Sequence, residues 1–304
     1  MIGQFSWASS ERRRVMRRFE AWIVLVIVAV VLAGPWQSAE AQTSIAGMEV
    51  HRQIDYIGDA SYADERDRLD VFMPSDAEGV PVVVFFHGGG LVNGDKSQGE
   101  FVAKGLVPRG IGVVSANYRL SPGVMHPAHL QDAAAAFAWT VEQISEYGGD
   151  PERVYLAGHS AGAYMAALLA LDDSYLGEAG VTLSAVRGAI PISPFLYVEE
   201  VAPDRPTTVW GADPAIWRSA SPSTYFRDGK PALLFVYADG DADWRREQIE
   251  RGATALTAAG QHDVATAEIP DRTHSSVVEQ LAAPGDPGAA RIAEFVLRPA
   301  HGTQ

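Results

Sequence analysis

Continuous apolar runs alternate with helix-periodic stretches through most of the chain. "RLDVFM" (68 to 73), "PVVVFFH" (81 to 87), "GVVSANY" (112 to 118), "RVYLAG" (153 to 158), "VRGAIPI" (186 to 192) and "ALLFVYA" (232 to 238) read as strands, with "VATAEI" (264 to 269) a weaker one. Runs that are apolar at every position suit strands covered on both faces. Helical patterns fall between them, at about 99 to 108, 129 to 146, 161 to 171, 244 to 259 and 286 to 297. In the second of these, Leu130, Ala134, Phe137, Val141 and Ile144 line one face. Such βα alternation predicts an α/β fold, with a mostly parallel sheet and helices on both sides. Two stretches break the pattern. Residues 42 to 61 read as a polar lead-in, and residues 194 to 230 as a short cap insertion over the carboxyl edge of the sheet, where open α/β sheets bind ligands.

The N-terminus has its own pattern. "ERRRVMRR" precedes the apolar run "AWIVLVIVAVVLAG" (21 to 34), and "SAEAQ" follows. This is the order of a signal peptide, with a small-x-small site at Ala39-Glu40-Ala41. The run is short for a membrane span of ~20 residues. The expectation is residues 1–41 as a signal peptide cleaved after Ala41, a secreted or periplasmic protein without stable membrane insertion, and residues 42–304 as a single domain. An uncleaved anchor is the alternative.

With 47% hydrophobic and 20% charged residues, the chain can bury a sizeable core. Its formal net charge of −14 argues against nucleic acid as a partner. The absence of cysteine excludes disulfides, thiolate metal sites and cysteine catalysis.

The chemistry starts at "VYLAGHSAGAYMAALLA" (154 to 170). A G-x-S-x-G between a strand and a helix is a nucleophile elbow, in which glycines permit the sharp turn and the serine is left at its tip. Ser160 is therefore the candidate nucleophile. Its hydroxyl needs a base. Of eight histidines, His274 in "PDRTHSSVV" follows the last strand and precedes a helix, which suits the order Ser, acid, His. His159 adjoins the serine but points away from it in an elbow, so it reads as structural. "ADGDADWRREQ" supplies the acid: Asp241 has room to turn toward His274, and Asp243 is the alternative acid or a cap for the helix near Trp244. In "FFHGGGLVNGDKS", glycines follow a strand, so backbone amides of Gly88 and Gly89, with that of Ala161 after the nucleophile, can receive an oxyanion. Phe195, Trp210 and Trp217 of the insertion are candidate pocket walls. No metal or organic cofactor is called for.

These segments, with "VVSANYRLSPGVMHPAHLQDAAAAFAW", span residues 66 to 298 in order. Together they resemble the α/β-hydrolase superfamily, in the HGGG branch of hormone-sensitive-lipase-like, acetyl-xylan and feruloyl esterases and kynurenine formamidase. The resemblance implies an α/β-hydrolase fold, a serine carboxylesterase acting on small or polymer-linked esters, and structural roles for Arg119 and Asp132. It again favours Asp241 as the acid. The family often has an aromatic residue after the glycines; Leu91 stands there and is expected to reshape the acyl pocket. Short acyl groups are the expected substrates. An arylformamidase-type amidase, a peptidase and an inactive binding protein are the rival readings.

Overall fold

The computed structural model describes residues 43–45, 47–58, 62, 64–201 and 204–299, all within one compact unit, Ala41–Gln304. The expected signal peptide, residues 1–41, and its expected cleavage site lie outside the described residues.

Among the described residues, nine strands form one sheet: β1 (Thr43–Ile45), β2 (Met48–Asp55), β3 (Arg68–Pro74), β4 (Val80–Phe86), β5 (Gly112–Ala116), β6 (Gly149–His159), β7 (Val186–Ile192), β8 (Ala232–Gly240) and β9 (Val264–Thr273). Their order is β1-β2-β3-β5-β4-β6-β7-β8-β9. The pairs β1–β2, β2–β3 and β3–β5 are antiparallel, and all others are parallel. The helices are α1 (Gly99–Leu106), α2 (Ala128–Gln143), α3 (Ala161–Leu171), α4 (Ser174–Glu178), α5 (Asp204–Val209), α6 (Pro214–Ala220), α7 (Asp243–Ala258), α8 (Ser276–Glu279) and α9 (Pro287–Leu297). This is the α/β-hydrolase arrangement.

Alternation along each strand feeds two cores. Val82, Val84 and Phe86 of β4 face a cluster with Leu130 and Phe137 of α2, the buried length of α3 and Ile249 of α7. Val83 and Phe85 face the opposite cluster, with Val102 and Leu106 of α1, Val277 of α8, and Ile292 and Val296 of α9. Both faces are therefore covered, which is why the central strands read as unbroken apolar runs.

Residues 42 to 61 correct the expectation of a polar lead-in: they hold β1 and β2. A β-bulge hides the strand from a period-two reading. The β2–β3 register slips between His51 and Ile54, with Gln53 at φ 61°. Met48 and Val50 consequently pack on one face of the sheet, whereas Ile54 packs on the other. An extra residue in one strand changes which face the following side chains address. The 194–230 stretch is also more ordered than its sequence suggests, since it contains α5 and α6.

Candidate active site

The carboxyl ends of β4, β6 and β8 and the segment after β9 converge on Ser160. The serine sits between β6 and α3 with φ 54° and ψ −111°, outside the regions open to ordinary residues. Its N–H donates to the carbonyl of Ile192 (2.9 Å) and its carbonyl accepts from Tyr164 N–H (3.0 Å), so both sides of the turn are fixed. The flanking glycines serve close approach. A β-carbon on Gly162 would collide with the carbonyl of Phe86, and one on Gly158 would collide with the backbone of Gly162. Helix α3 thus crosses the ends of β4 and β6 at a distance that only bare backbone permits.

His274 Nε2 lies 3.0 Å from Ser160 Oγ, and His274 Nδ1 lies 2.6 Å from Asp241 Oδ1. Three residues distant in sequence thus form a continuous hydrogen-bonded line. Burial works against a charge on Asp241, but donors from His274, Ser193 and the Ala238 N–H outweigh it and hold the carboxyl below its usual value. Asp243 lies apart: its exposed carboxylate pairs with Arg246 at 2.7 Å at the start of α7. Asp239 accepts from the backbone N–H groups of Asp271 and Arg272, tying β8 to the end of β9.

The glycine loop lies against the elbow. Gly88 needs to be glycine, because a β-carbon there would lie 2.8 Å from His159 Nδ1 and 3.4 Å from Ser160 Cβ. Its amide, however, already donates to Gln98 Oε1 at 2.8 Å. This corrects the expectation for Gly88: it supplies space beside the serine, and its N–H is spent. Gly89, at φ 116°, follows it. The Ala161 N–H opens α3, where the first amides have no acceptor within the helix. Behind the loop, Lys96 bonds Asp70 at 2.7 Å, and Asp70 also accepts from Arg52 (3.0 Å).

His159 lies with its Nε2 2.7 Å from the carbonyl oxygen of His274, so that nitrogen carries the proton. Burial lowers its pKa to about 3, and that of His87 to about 4. His87 stacks on Tyr118 at 4.2 Å and bonds the carbonyl of Gly88 through Nδ1. Arg119 and Asp132 form a multiply bonded pair behind the loop.

Three of the four pocket candidates lie in the interior. Leu91, Phe195 and Trp210 are at most 1% exposed and belong to the main core. Phe195 stacks on Tyr164 at 4.7 Å, Trp210 meets both rings edge-on, and its Nε1 donates to the Tyr164 hydroxyl. The reading of Leu91, Phe195 and Trp210 as pocket walls is corrected accordingly: their surface is used up in packing. Half-buried Trp217 donates from Nε1 to the Gly211 carbonyl (2.8 Å) and braces the insertion.

Ser193, Arg245 and Gln98 contact the site yet carried no sequence signal. Ser193 and Gln98 lie outside the quoted motifs, and Arg245 lies within "ADGDADWRREQ" without any mark of its role; all three are given their place by tertiary contacts. Among the described residues, no group of three His, Cys, Asp or Glu side chains is arranged to hold a metal ion.

The chain is similar to esterase LipC of Mycobacterium tuberculosis, at 27% identity over 87% of this chain and 70% of the relative. Esterase LipQ of the same organism is 32% identical over 64% of this chain and 50% of its own length. A probable isoprenylcysteine alpha-carbonyl methylesterase of Oryza sativa subsp. japonica is 42% identical over 36% of this chain, but only 26% of its own length is matched. The chain thus spans from about a quarter to a little over two thirds of these relatives. Among solved structures, esterase B of Lactobacillus rhamnosis superimposes with a TM-score of 0.72 at 18% identity, covering 93% of this chain and 95% of that one. Thermogutta terrifontis esterase 2 with butyrate bound gives 0.62 at 24% identity, over 83% and 92%. At these identities the structures speak to fold alone. The BD-FAE family profile matches residues 69–251, from β3 into α7 and across the glycine loop, Ser160 and Asp241, and the chain belongs to that family.

Proposed function

We propose that this protein is a carboxylic-ester hydrolase that works through a serine acyl-enzyme. The observation that carries the reading is the line from Ser160 Oγ through His274 to Asp241, at 3.0 and 2.6 Å. Relatives named as esterases support it. His274 takes the Ser160 proton as Oγ attacks the ester carbonyl, then returns it to the departing alkoxide. Asp241 orients the imidazole and balances its transient charge. The N–H groups of Gly89 and Ala161 receive the oxyanion. Water then repeats the sequence and releases the acid.

Short acyl groups, acetyl to butyryl, are the proposed substrates. Phe195, Trp210 and Tyr164 fill the space beside α3 with packed rings, which leaves that side without a deep apolar tunnel. Each further buried methylene adds only ~0.8 kcal/mol, so the gain from a longer chain ends where the room ends. Export with cleavage after Ala41 is the proposal that follows from the N-terminal pattern, and the N-terminal mass of the mature protein tests it.

The test is a p-nitrophenyl ester series from acetyl to decanoyl, run beside labelling by a fluorophosphonate. The expected outcome is a kcat/KM maximum at four carbons or fewer, with a single label on Ser160. Unlabelled protein, or turnover that survives Ser160→Ala, refutes the hydrolase reading; a maximum at decanoyl refutes only the short-acyl part.

A further inference from the structure

We infer that Ser193 is a positioning residue that fixes the rotation of the Asp241 carboxylate and so holds an oxygen on the base. The inference rests on the serine-hydrolase reading above and extends it to a residue outside its motifs.

Ser193 follows β7 directly, is completely buried, and lies 48 residues before Asp241. All three of its polar groups engage the acid-bearing segment. Its N–H donates to the Val236 carbonyl of β8 (2.7 Å), its carbonyl accepts from Arg245 Nη1 (2.7 Å), and its hydroxyl donates to Asp241 Oδ2 (2.5 Å). The Ala238 N–H donates to the same Oδ2 (3.0 Å). With two donors on Oδ2, the carboxylate cannot rotate about its own axis without losing both. Oδ1 is thereby left to His274 Nδ1, with Arg245 Nε 3.7 Å away.

The backbone supports a role for the hydroxyl. Ser193 has φ 52°, a left-handed conformation that glycine adopts freely and a residue with a β-carbon does not. Only six described non-glycine residues have positive φ, and Ser160 is another. Conformation alone therefore favours glycine at 193. A serine there accepts backbone strain, and what it contributes in exchange is an oxygen on the acid. Strain of this sort collects at functional sites because the surrounding contacts over-determine it.

Ser193→Gly separates the two effects, since it removes the hydroxyl and relieves the strain. Ser193→Ala removes the oxygen and keeps the β-carbon, and serves as the reading if the glycine variant does not fold. Both are measured on a short p-nitrophenyl ester, alone and in an Asp241→Asn background, with melting temperature alongside. The expected result is a folded protein whose kcat falls roughly 10- to 100-fold, well short of the ~10⁴ for loss of the acid's function, with KM changed less than about twofold. Because Ser193 acts through Asp241, the same change should cost less than about twofold once Asp241 is asparagine, as for residues that work as a unit. A parent-like kcat in Ser193→Gly overturns the inference. So does an equal fold-loss in the two backgrounds, which marks a general structural role. The parallel Ser160→Ala control keeps the levels apart: if that variant turns over ester, the hydrolase reading has failed, and if it is dead while Ser193→Gly is parent-like, only the role of Ser193 has failed.

Discussion

The two halves of the site are held by different physics. The nucleophile side is steric: Ser160 is forced to φ 54°, and glycines 88, 158 and 162 let backbones approach where no β-carbon fits. The acid side is polar: Asp241 is placed by donors from His274, Ser193 and Ala238, with Arg245 bonding the Ser193 carbonyl. Steric placement resists any added atom but tolerates loss of the reactive one. Polar placement tolerates similar shapes but not a lost donor or acceptor.

The largest expected effect tests the first half at its tip. Ser160→Ala should lower kcat by about 10⁶, the scale seen when a triad serine is removed, while melting stays parent-like, because the hydroxyl does not brace the turn. Unfolding of this variant would show that the elbow relies on the serine side chain. Next, Asp241→Asn should lower kcat by roughly 10⁴, whereas Asp243→Asn should change it less than about twofold, since Asp243 reaches only Arg246. The reverse ranking, read from steady-state kinetics, would move the acid two residues along.

Gly162→Ala should destabilise the fold by about 3 kcal/mol, at the upper end for overpacking, because its β-carbon meets the backbone at the end of β4 and not a movable side chain. Denaturant melts measure this, and a cost below about 1 kcal/mol would show that α3 can shift outward. Lys96→Ala should cost about 3 kcal/mol, by leaving a buried carboxylate with one cation fewer.

The smallest single-residue effect is on pH dependence, to which His126 and His129, with pKa values of about 4, also contribute. His87 and His159, both on the nucleophile side, are held neutral, with pKa values of about 4 and about 3. In the unfolded chain a histidine protonates near 6.5. The unfolded state therefore gains protons first as pH falls, and stability is lost from about pH 6.5 down to the folded values, by roughly 2 kcal/mol per histidine at pH 5. Asp241 runs later. Its pKa is lowered from 3.8, so its contribution is intact at pH 5 and declines only at lower pH. Melting temperature against pH should thus begin to fall below about 6.5, and His159→Gln should flatten that fall.

The same contrast explains what could be read from sequence. Steric placement leaves a signature in residue type: G-x-S-x-G and the glycine triplet stand out because few residues fit there. The unbroken apolar strands announce a sheet covered on both faces. Polar placement leaves no such trace. Ser193 is one serine among many, and its partner lies 48 positions away. The spent amide of Gly88 was hidden for a similar reason, since nothing in "DKSQGE" indicates that Gln98 turns back to it. Strand β2 was concealed by a bulge that breaks its alternation, and Phe195 and Trp210 looked like pocket walls because composition does not distinguish a buried ring from a lining one.

The position of β9 bears on how such a protein would fail under heat. It is the last strand of the sheet, paired only with β8 among the described strands, and Ile269 is its one buried residue. His274, the proposed base, follows it immediately. Strands with one neighbour and little buried surface open at lower free energy than the centre of a domain. A molecule with β9 detached keeps its elbow, its glycine loop and its acid, and lacks only the proton acceptor. Inactivation is then expected to set in below the temperature of global unfolding and to reverse on cooling, so that one edge strand would set the working ceiling; activity regained after a heating cycle, set beside the melting curve, checks this.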